Sequence, residues 1–191
     1  MDTTNALPTA LIVDDEKEVA DAYALRLRGL CNLQTAYSGA DALEVVDNEV
    51  IDVVLLDRHM PGMSGDDVLA ELTEREFTGK VIMVTAIDPG FDVLDMPFDD
   101  YLCKPIDRED VRTAVEQQFE ILGYEMLGEF FSAESKRRII EAEVTAEVRE
   151  DHDAYLDVER ECQELEQRVR RLLGEVTDLF ETFDAVGREG K

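Results

Sequence analysis

The sequence predicts an α/β fold: a doubly wound, five-stranded parallel sheet followed by a long helical extension. Strand-like apolar runs at about 10–14, 31–36, 51–57, 81–85 and 101–103 alternate with helix-like segments at about 16–28, 39–48, 65–75, 91–95 and 107–121. That alternation builds a parallel sheet with helices on both faces. From about residue 122 onward there is no proline, the strand pattern disappears, and the chain reads as helix.

Taken in order, the elements end on chemically pointed residues. Residues 1–8 are a short polar lead. LIVDDE (11–16) is an apolar run that ends in Asp14 and Asp15. Ser38 precedes the second helix with Asp41 three residues on, the arrangement of a helix N-cap. VIDVVLLD (50–57) ends in Asp57, and VIMVT (81–85) ends in Thr85. Pro89-Gly90 and Pro97 bracket a short fourth helix, and DYLCKP (100–105) ends in Lys104-Pro105.

Ligands bind beyond the carboxyl ends of the strands in an open parallel sheet. Three carboxylates (Asp14, Asp15, Asp57), one hydroxyl (Thr85) and one ammonium (Lys104) therefore converge at one edge. Three carboxylates repel one another unless a cation sits among them, and Mg2+ suits such an oxygen site. A lysine and a hydroxyl beside a metal-bound carboxylate form a receptor for a phosphoryl group. Read alone, Asp14 and Asp15 would simply cap the first helix, and Thr85 would be an ordinary strand end. His59, two residues past Asp57, reads either as a group that tunes water attack at Asp57 or as a solvated loop histidine.

This constellation resembles the receiver domain of two-component response regulators. The resemblance covers about residues 8–121 and rests on Asp14-Asp15, Asp57, Met60-Pro61 with Gly65, Thr85-Ala86, Tyr101 and Lys104-Pro105. It implies a flavodoxin-like strand order 2-1-3-4-5, Asp57 as phosphoacceptor, and Mg2+ held by Asp14, Asp15 and Asp57. It also implies a sensor histidine kinase as partner, a Thr85–Tyr101 switch, and often a cis Lys104-Pro105 bond. The chain departs from the pattern at MPFDDYL (96–102), where receivers usually carry a glycine-alanine pair, so the fourth helix and its following loop are expected to differ. A phosphatase using an aspartate nucleophile and Mg2+ is the enzyme alternative. Such enzymes generally carry a second aspartate two residues after the first, and Asp57 is followed by Arg58 and His59. The resemblance thus implies a self-labelled switch with slow self-dephosphorylation rather than an enzyme acting on external substrates.

The extension, about 122–188, carries a seven-residue repeat. Tyr155, Val158, Cys162, Leu165, Val169, Leu172, Val176, Leu179, Phe183 and Val186 alternate steps of three and four, a coiled-coil signature. A homodimer through this helix is the expectation, and an intrachain hairpin against residues 124–144 is the alternative. In a parallel pair Glu161 would face Glu166 of its mate, which is unfavourable at low salt. Gly123 and Gly128 are expected to loosen the start of the extension, and Thr145 or Asp153 to cap a new helix. With GYEMLGEFFSAESKRRIIEAE (123–143) ahead of the repeat, the tail resembles the HalX-type regulators of halophilic archaea.

Composition narrows the function classes. Acidic residues number 46 against 19 basic ones, a net charge of −27. Repulsion of that size is unscreened in dilute buffer and vanishes at molar salt, where the Debye length is about 3 Å. A saline cytoplasm is the expected setting. Cys31, Cys103 and Cys162 are scattered without a CxxC, which fits a reducing compartment. The sequence shows neither an N-terminal apolar signal nor an eighteen-residue apolar stretch, so no membrane role is expected. The clusters Lys136-Arg137-Arg138 and Arg168, Arg170, Arg171 read as helix-surface ion pairs among many acids. With no recognition turn or basic face, direct nucleic-acid binding is not expected, and a DNA-binding transcriptional regulator stays the second alternative.

Overall fold

A computed structural model describes residues 7–87, 89–174 and 176–184. It contains two compact units, Leu7–Phe119 and a second from Glu120 onward.

In the first unit the strands are β1 (Thr9–Val13), β2 (Asn32–Ala36), β3 (Val53–Asp57), β4 (Lys80–Thr85) and β5 (Asp100–Cys103). All pair in parallel in the order β2-β1-β3-β4-β5, the order expected. Helices α1 (Lys17–Leu27), α2 (Gly39–Asn48) and α3 (Gly65–Glu74) follow the first three strands. Successive strand residues face opposite sides of the sheet. Leu11, Val13, Val54, Leu56, Val81 and Met83 accordingly join Leu43 of α2 and Val68, Leu69 and Leu72 of α3 in one buried cluster. The alternate residues Ala10, Ile12, Val53, Leu55, Ile82 and Val84 are equally buried. On α1, Ala20, Tyr23 and Leu27 are buried, as are Val111, Ala114 and Val115 of α4 (Arg108–Glu143). Arg26 and Arg112 tie these helices together: Arg26 donates to the Ile106 carbonyl, and Arg112 to the Arg26 carbonyl at 3.1 Å.

Local signals account for the helix starts. Ser38 Oγ accepts from Asp41 N at 3.2 Å, the expected cap of α2. Ser64 and Asp67 form a reciprocal capping box that starts α3. The expected fourth helix is a single 3-10 turn over Phe91–Asp95. Pro89-Gly90 and Pro97 leave too few residues between them for α-helical hydrogen bonds to accumulate.

In the second unit one expectation needs correction. Gly123 and Gly128 do not loosen the helix, because α4 runs through both to Glu143 instead of ending near 121. Thr145 is the N-cap residue of α5 (Ala146–Glu150), but Asp153 is the first residue of α6 (Asp153–Leu173), with His152 at its cap. An acid in that first turn complements the positive end of the helix dipole.

The heptad stripe packs within its own unit, as the hairpin alternative has it. Cys162, Val169, Leu172 and Val176 are buried. Tyr155 Oη lies 2.9 Å from Glu141 Oε1 of α4, and the backbone at Gly123 sits against the Leu173 side chain. Burying each large apolar side chain of the stripe stabilises this packing by about 1.5–3 kcal/mol. Tyr155, Val158, Leu165 and Phe183 of the stripe are half-buried, so the hairpin covers part of the seam. The repeat also does not continue to its expected end. Gly174, at φ 68°, closes α6, and α7 (Thr177–Asp184) starts in a new phase. Leu179 is 42% exposed while Phe180 is buried. Val186, the last expected heptad position, lies outside the described residues, as do residues 1–6 of the polar lead.

Candidate functional site

The site is built at the carboxyl ends of β1, β3, β4 and β5. Asp14 follows β1 directly, and its Oδ1 accepts from Glu16 N at 2.9 Å, which fixes the carboxylate at the start of the loop. Asp57 closes β3 in register with Val84. Thr85 closes β4 and pairs with Cys103, so Lys104 leaves β5 beside it. Lys104 N donates to the Thr85 carbonyl at 2.6 Å, and the Lys104-Pro105 bond is cis. Asp14, Asp57 and Thr85 are all buried.

Oxygen atoms of Asp14, Asp15 and Asp57 lie within 4.8 Å of one another, close enough to share one metal ion. Lys104 Nζ donates to Asp14 Oδ2 at 2.8 Å and to Asp57 Oδ1 at 3.0 Å. Burial pushes the Asp57 carboxyl above its usual range, against the hydrogen bond and charge of Lys104, and the Asp14 and Asp15 charges push it the same way. Burial pulls the Lys104 ammonium down, but its hydrogen bonds to Asp14 and Asp57 outweigh that and lift it. Tyr23 of α1 feels the same cluster. Burial raises its phenol, Lys104 and Arg26 oppose, and the Asp14 and Asp57 charges add to the rise. An oxygen-only, anionic donor set of this kind suits a hard divalent cation.

Thr85 and Tyr101 are joined by a short hydrogen-bonded path. Thr85 Oγ1 lies 3.4 Å from His59 Nδ1 and accepts from Ile87 N at 3.2 Å. Tyr101 Oη donates to the Ile87 carbonyl at 3.4 Å, and the ring packs on Phe98 with centroids 5.5 Å apart. Thr85 and Tyr101 are therefore linked through the backbone of Ile87. The loop after Asp57 is held just as closely. Arg58 pairs with Asp66 through two nitrogens at 3.0 and 3.2 Å. Gly65 lies so near the Asp57 backbone that a Cβ there would overlap the Asp57 carbonyl oxygen.

The candidate site residues thus lie at this edge: Asp14, Asp15 and Asp57 with Lys104 on them, and Thr85 connected to Tyr101. Sequence reasoning missed the parts played by Tyr23 and the Ile87 backbone. Tyr23 carries no motif signal, and a backbone bridge leaves none.

Comparison with known proteins agrees with this geometry. The family model of the response regulator receiver domain matches residues 10–116, and that of the HalX domain matches residues 120–186. A Haloferax volcanii protein named "Putative transcriptional regulator" is 41% identical over 142 residues, covering 73% of this chain and 24% of that protein. The transcriptional regulatory protein CutR of Streptomyces coelicolor is 39% identical over 99 residues, covering 50% of this chain and 46% of CutR. The chain thus spans a quarter to just under half the length of these relatives. Among solved structures, the CheY-like receiver domain from Methanospirillum hungatei superimposes with a TM-score of 0.59 at 25% identity, covering 63% of this chain and 99% of that one. The CheY-like receiver domain from Methylobacillus flagellatus gives 0.54 at 30% identity, covering 59% and 98%. With the receiver model matching more than half its length, this chain belongs to the response regulator receiver family, and it carries a HalX domain after the receiver.

Proposed function

We propose that the chain is a two-component response regulator that takes a phosphoryl group onto Asp57 from the phosphohistidine of a sensor histidine kinase. The observation that carries this reading is Lys104 Nζ bridging Asp14 and Asp57, with Asp15 in the same carboxylate cluster. Phosphoryl transfer requires an in-line nucleophile, charge neutralisation and positioning. An Asp57 carboxylate oxygen attacks phosphorus, the P–N bond breaks, and the imidazole leaves with the electron pair. Asp14, Asp15 and Asp57 are the residues that would hold Mg2+, which supplies neutralisation of the phosphoryl oxygens. Lys104 is positioned to move its ammonium from the carboxylates to the transferred group.

The switch follows from the Thr85 contacts. To donate to a phosphoryl oxygen, the Thr85 hydroxyl must turn from His59, and the Ile87 N–H that it accepts from must follow or find another partner. Tyr101, bonded to the Ile87 carbonyl, is thereby released. Phosphorylation biases this two-state element and changes the surface around residues 88–112, and the HalX tail reads that change. The acyl phosphate ends by hydrolysis, so the protein labels itself rather than turning over external substrate. A cytoplasmic setting follows from the kinase partner.

Labelling with acetyl phosphate and Mg2+ tests the reading. About one phosphoryl group per chain is expected, and none on Asp57→Asn. Undiminished labelling of that variant, or steady release of phosphate from an external ester, would overturn it.

A further inference from the structure

The helical unit holds a groove of about 360 Å3 between the end of α4, α5 and the start of α6. Its floor is apolar, with Ile140, Val144, Val148 and Val158 among its residues, and Val148 on that floor is 58% exposed. Lys136 and Arg149 stand at the rim. None of the lining residues is acidic, although acids outnumber bases 46 to 19 in the chain. Glu134 and Glu141 behind it are offset by Arg137, Arg138 and Arg149. Among the described residues Lys136 makes no ion pair. The groove is therefore an apolar floor with the unpaired ammonium of Lys136 at its edge.

Among the described residues, a segment of complementary chemistry lies on the receiver unit. IDPGFDVLD (87–95) is apolar and acid-flanked. Its Phe91 is 91% exposed and its Leu94 76% exposed, on a single 3-10 turn, with Asp95 exposed beside them. A lone exposed apolar residue is ordinary, but two large ones on one turn mark a docking segment. The groove volume lies in the range of about 300–1,000 Å3 that holds side chains or small ligands.

We propose that the groove of one copy receives the 87–95 segment of a second copy, Phe91 and Leu94 entering the apolar floor and Asp95 meeting Lys136. The contact joins two different surfaces, so each copy carries both halves. It is suited to high salt, where apolar burial persists and only charges in direct contact attract. Tyr155 and Val158 of the heptad stripe line the groove, so the contact uses the part of the stripe that the hairpin leaves uncovered. It requires no phosphoryl group, so it stands or falls separately from the reading of Asp57.

Sedimentation of the full chain in molar KCl, without a phosphodonor, tests it. The wild type is expected to associate with increasing concentration. The pair Phe91→Asp with Leu94→Asp, and separately Val148→Asp or Lys136→Glu, should weaken association; losing a buried large apolar side chain costs about tenfold or more in affinity. All four positions are exposed, and circular dichroism checks that the variants fold. An equimolar mixture of the segment variant and the Val148→Asp variant should associate again, because one intact groove meets one intact segment. A labelled peptide of residues 87–97 should bind the wild type and not Val148→Asp. A wild type that stays monomeric at high micromolar concentration overturns the proposal, and so does a mixture that fails to associate. Peptide binding by a monomeric wild type would also overturn it, assigning the groove to an acidic apolar segment of another protein.

Discussion

Replacing Lys104 with Met keeps a stem of similar length and deletes the ammonium that bonds Asp14 at 2.8 Å and Asp57 at 3.0 Å. Both carboxylates are buried. Removing one partner of a buried ion pair costs about 3–5 kcal/mol, because the remaining charge is left uncompensated. Relief is available, since burial already pushes the Asp57 carboxyl up and losing Lys104 pushes it further. Asp57 can then take a proton, at about 1.4 kcal/mol for each pH unit above its pKa. A net loss of about 2–4 kcal/mol at neutral pH follows. For a chain of this size each kcal/mol shifts Tm by about 2–4 °C, so melting should fall by about 5–15 °C. The sign with pH is fixed. The deficit is present while Asp57 is ionised, and it shrinks as pH falls through the raised Asp57 pKa, because protonation removes the uncompensated charge. A cation that binds the native cluster offers a second relief, so Mg2+ should narrow the deficit by mass action. Thermal melts in molar KCl at pH 5 and pH 7, with and without Mg2+, measure all of this. A variant that melts within a degree of wild type at pH 7, or whose deficit grows in acid, would refute the account of the cluster.

Three further outcomes are expected. Burial pushes the Cys31 and Cys162 thiols from 9.0 to about 11, so stability is intact below pH 9 and falls as pH rises toward 11, by about 2 kcal/mol per thiol; denaturant titrations across that window should show a shallower slope in Cys162→Ala. The net charge of −27 predicts a Tm that rises from dilute buffer to molar KCl as repulsion is screened, and equal melting in both would contradict it. Gly128→Ala, with open space around the new Cβ, should stabilise α4 by about 0.5–1 kcal/mol, whereas Gly123→Ala should gain less because its Cβ meets Leu173 at 2.5 Å; equal gains would count against the hairpin.

The site was legible because each of its members ends a strand. A parallel sheet carries the ends of its apolar runs to one edge, so reading VVLLD, VIMVT and YLCKP as strands already placed Asp57, Thr85 and Lys104 side by side. What remained hidden depends on the course of the loops. The 3.4 Å approach of His59 to Thr85, and the Ile87 backbone linking Thr85 to Tyr101, are set by how the chain turns after β3 and β4. No side-chain pattern encodes that turn. The fourth helix failed for a local reason that the prolines announced, although the sequence alone did not say that a 3-10 turn would replace it.

The tail separates two things that a heptad repeat is often taken to report together. Steps of three and four show that one stripe of a helix is buried, and they leave open what buries it. Here Phe130 and Phe131 of α4 supply the answer. Phe180 lies 5.1 Å from Phe130 and 6.0 Å from Phe131, and Phe131 stacks on Phe183 at 4.4 Å. Phe180 is out of step with the repeat. It reaches this cluster because Gly174 breaks α6 and resets the phase of α7. A sequence selected for a continuous two-chain coiled coil gains nothing from a left-handed glycine in its seam, whereas a helix that must turn its last apolar residues onto its own neighbour requires such a break. A partner in the same chain also faces the seam at the high effective concentration of a short tether. A second copy would have to exceed that and, in a parallel pair, bring Glu161 against Glu166. The charged pairs point the same way: buried Glu134 is held below the usual carboxylate range by Arg137 and Arg138 despite its burial, so the polar group that faces Cys162 is satisfied without any second chain.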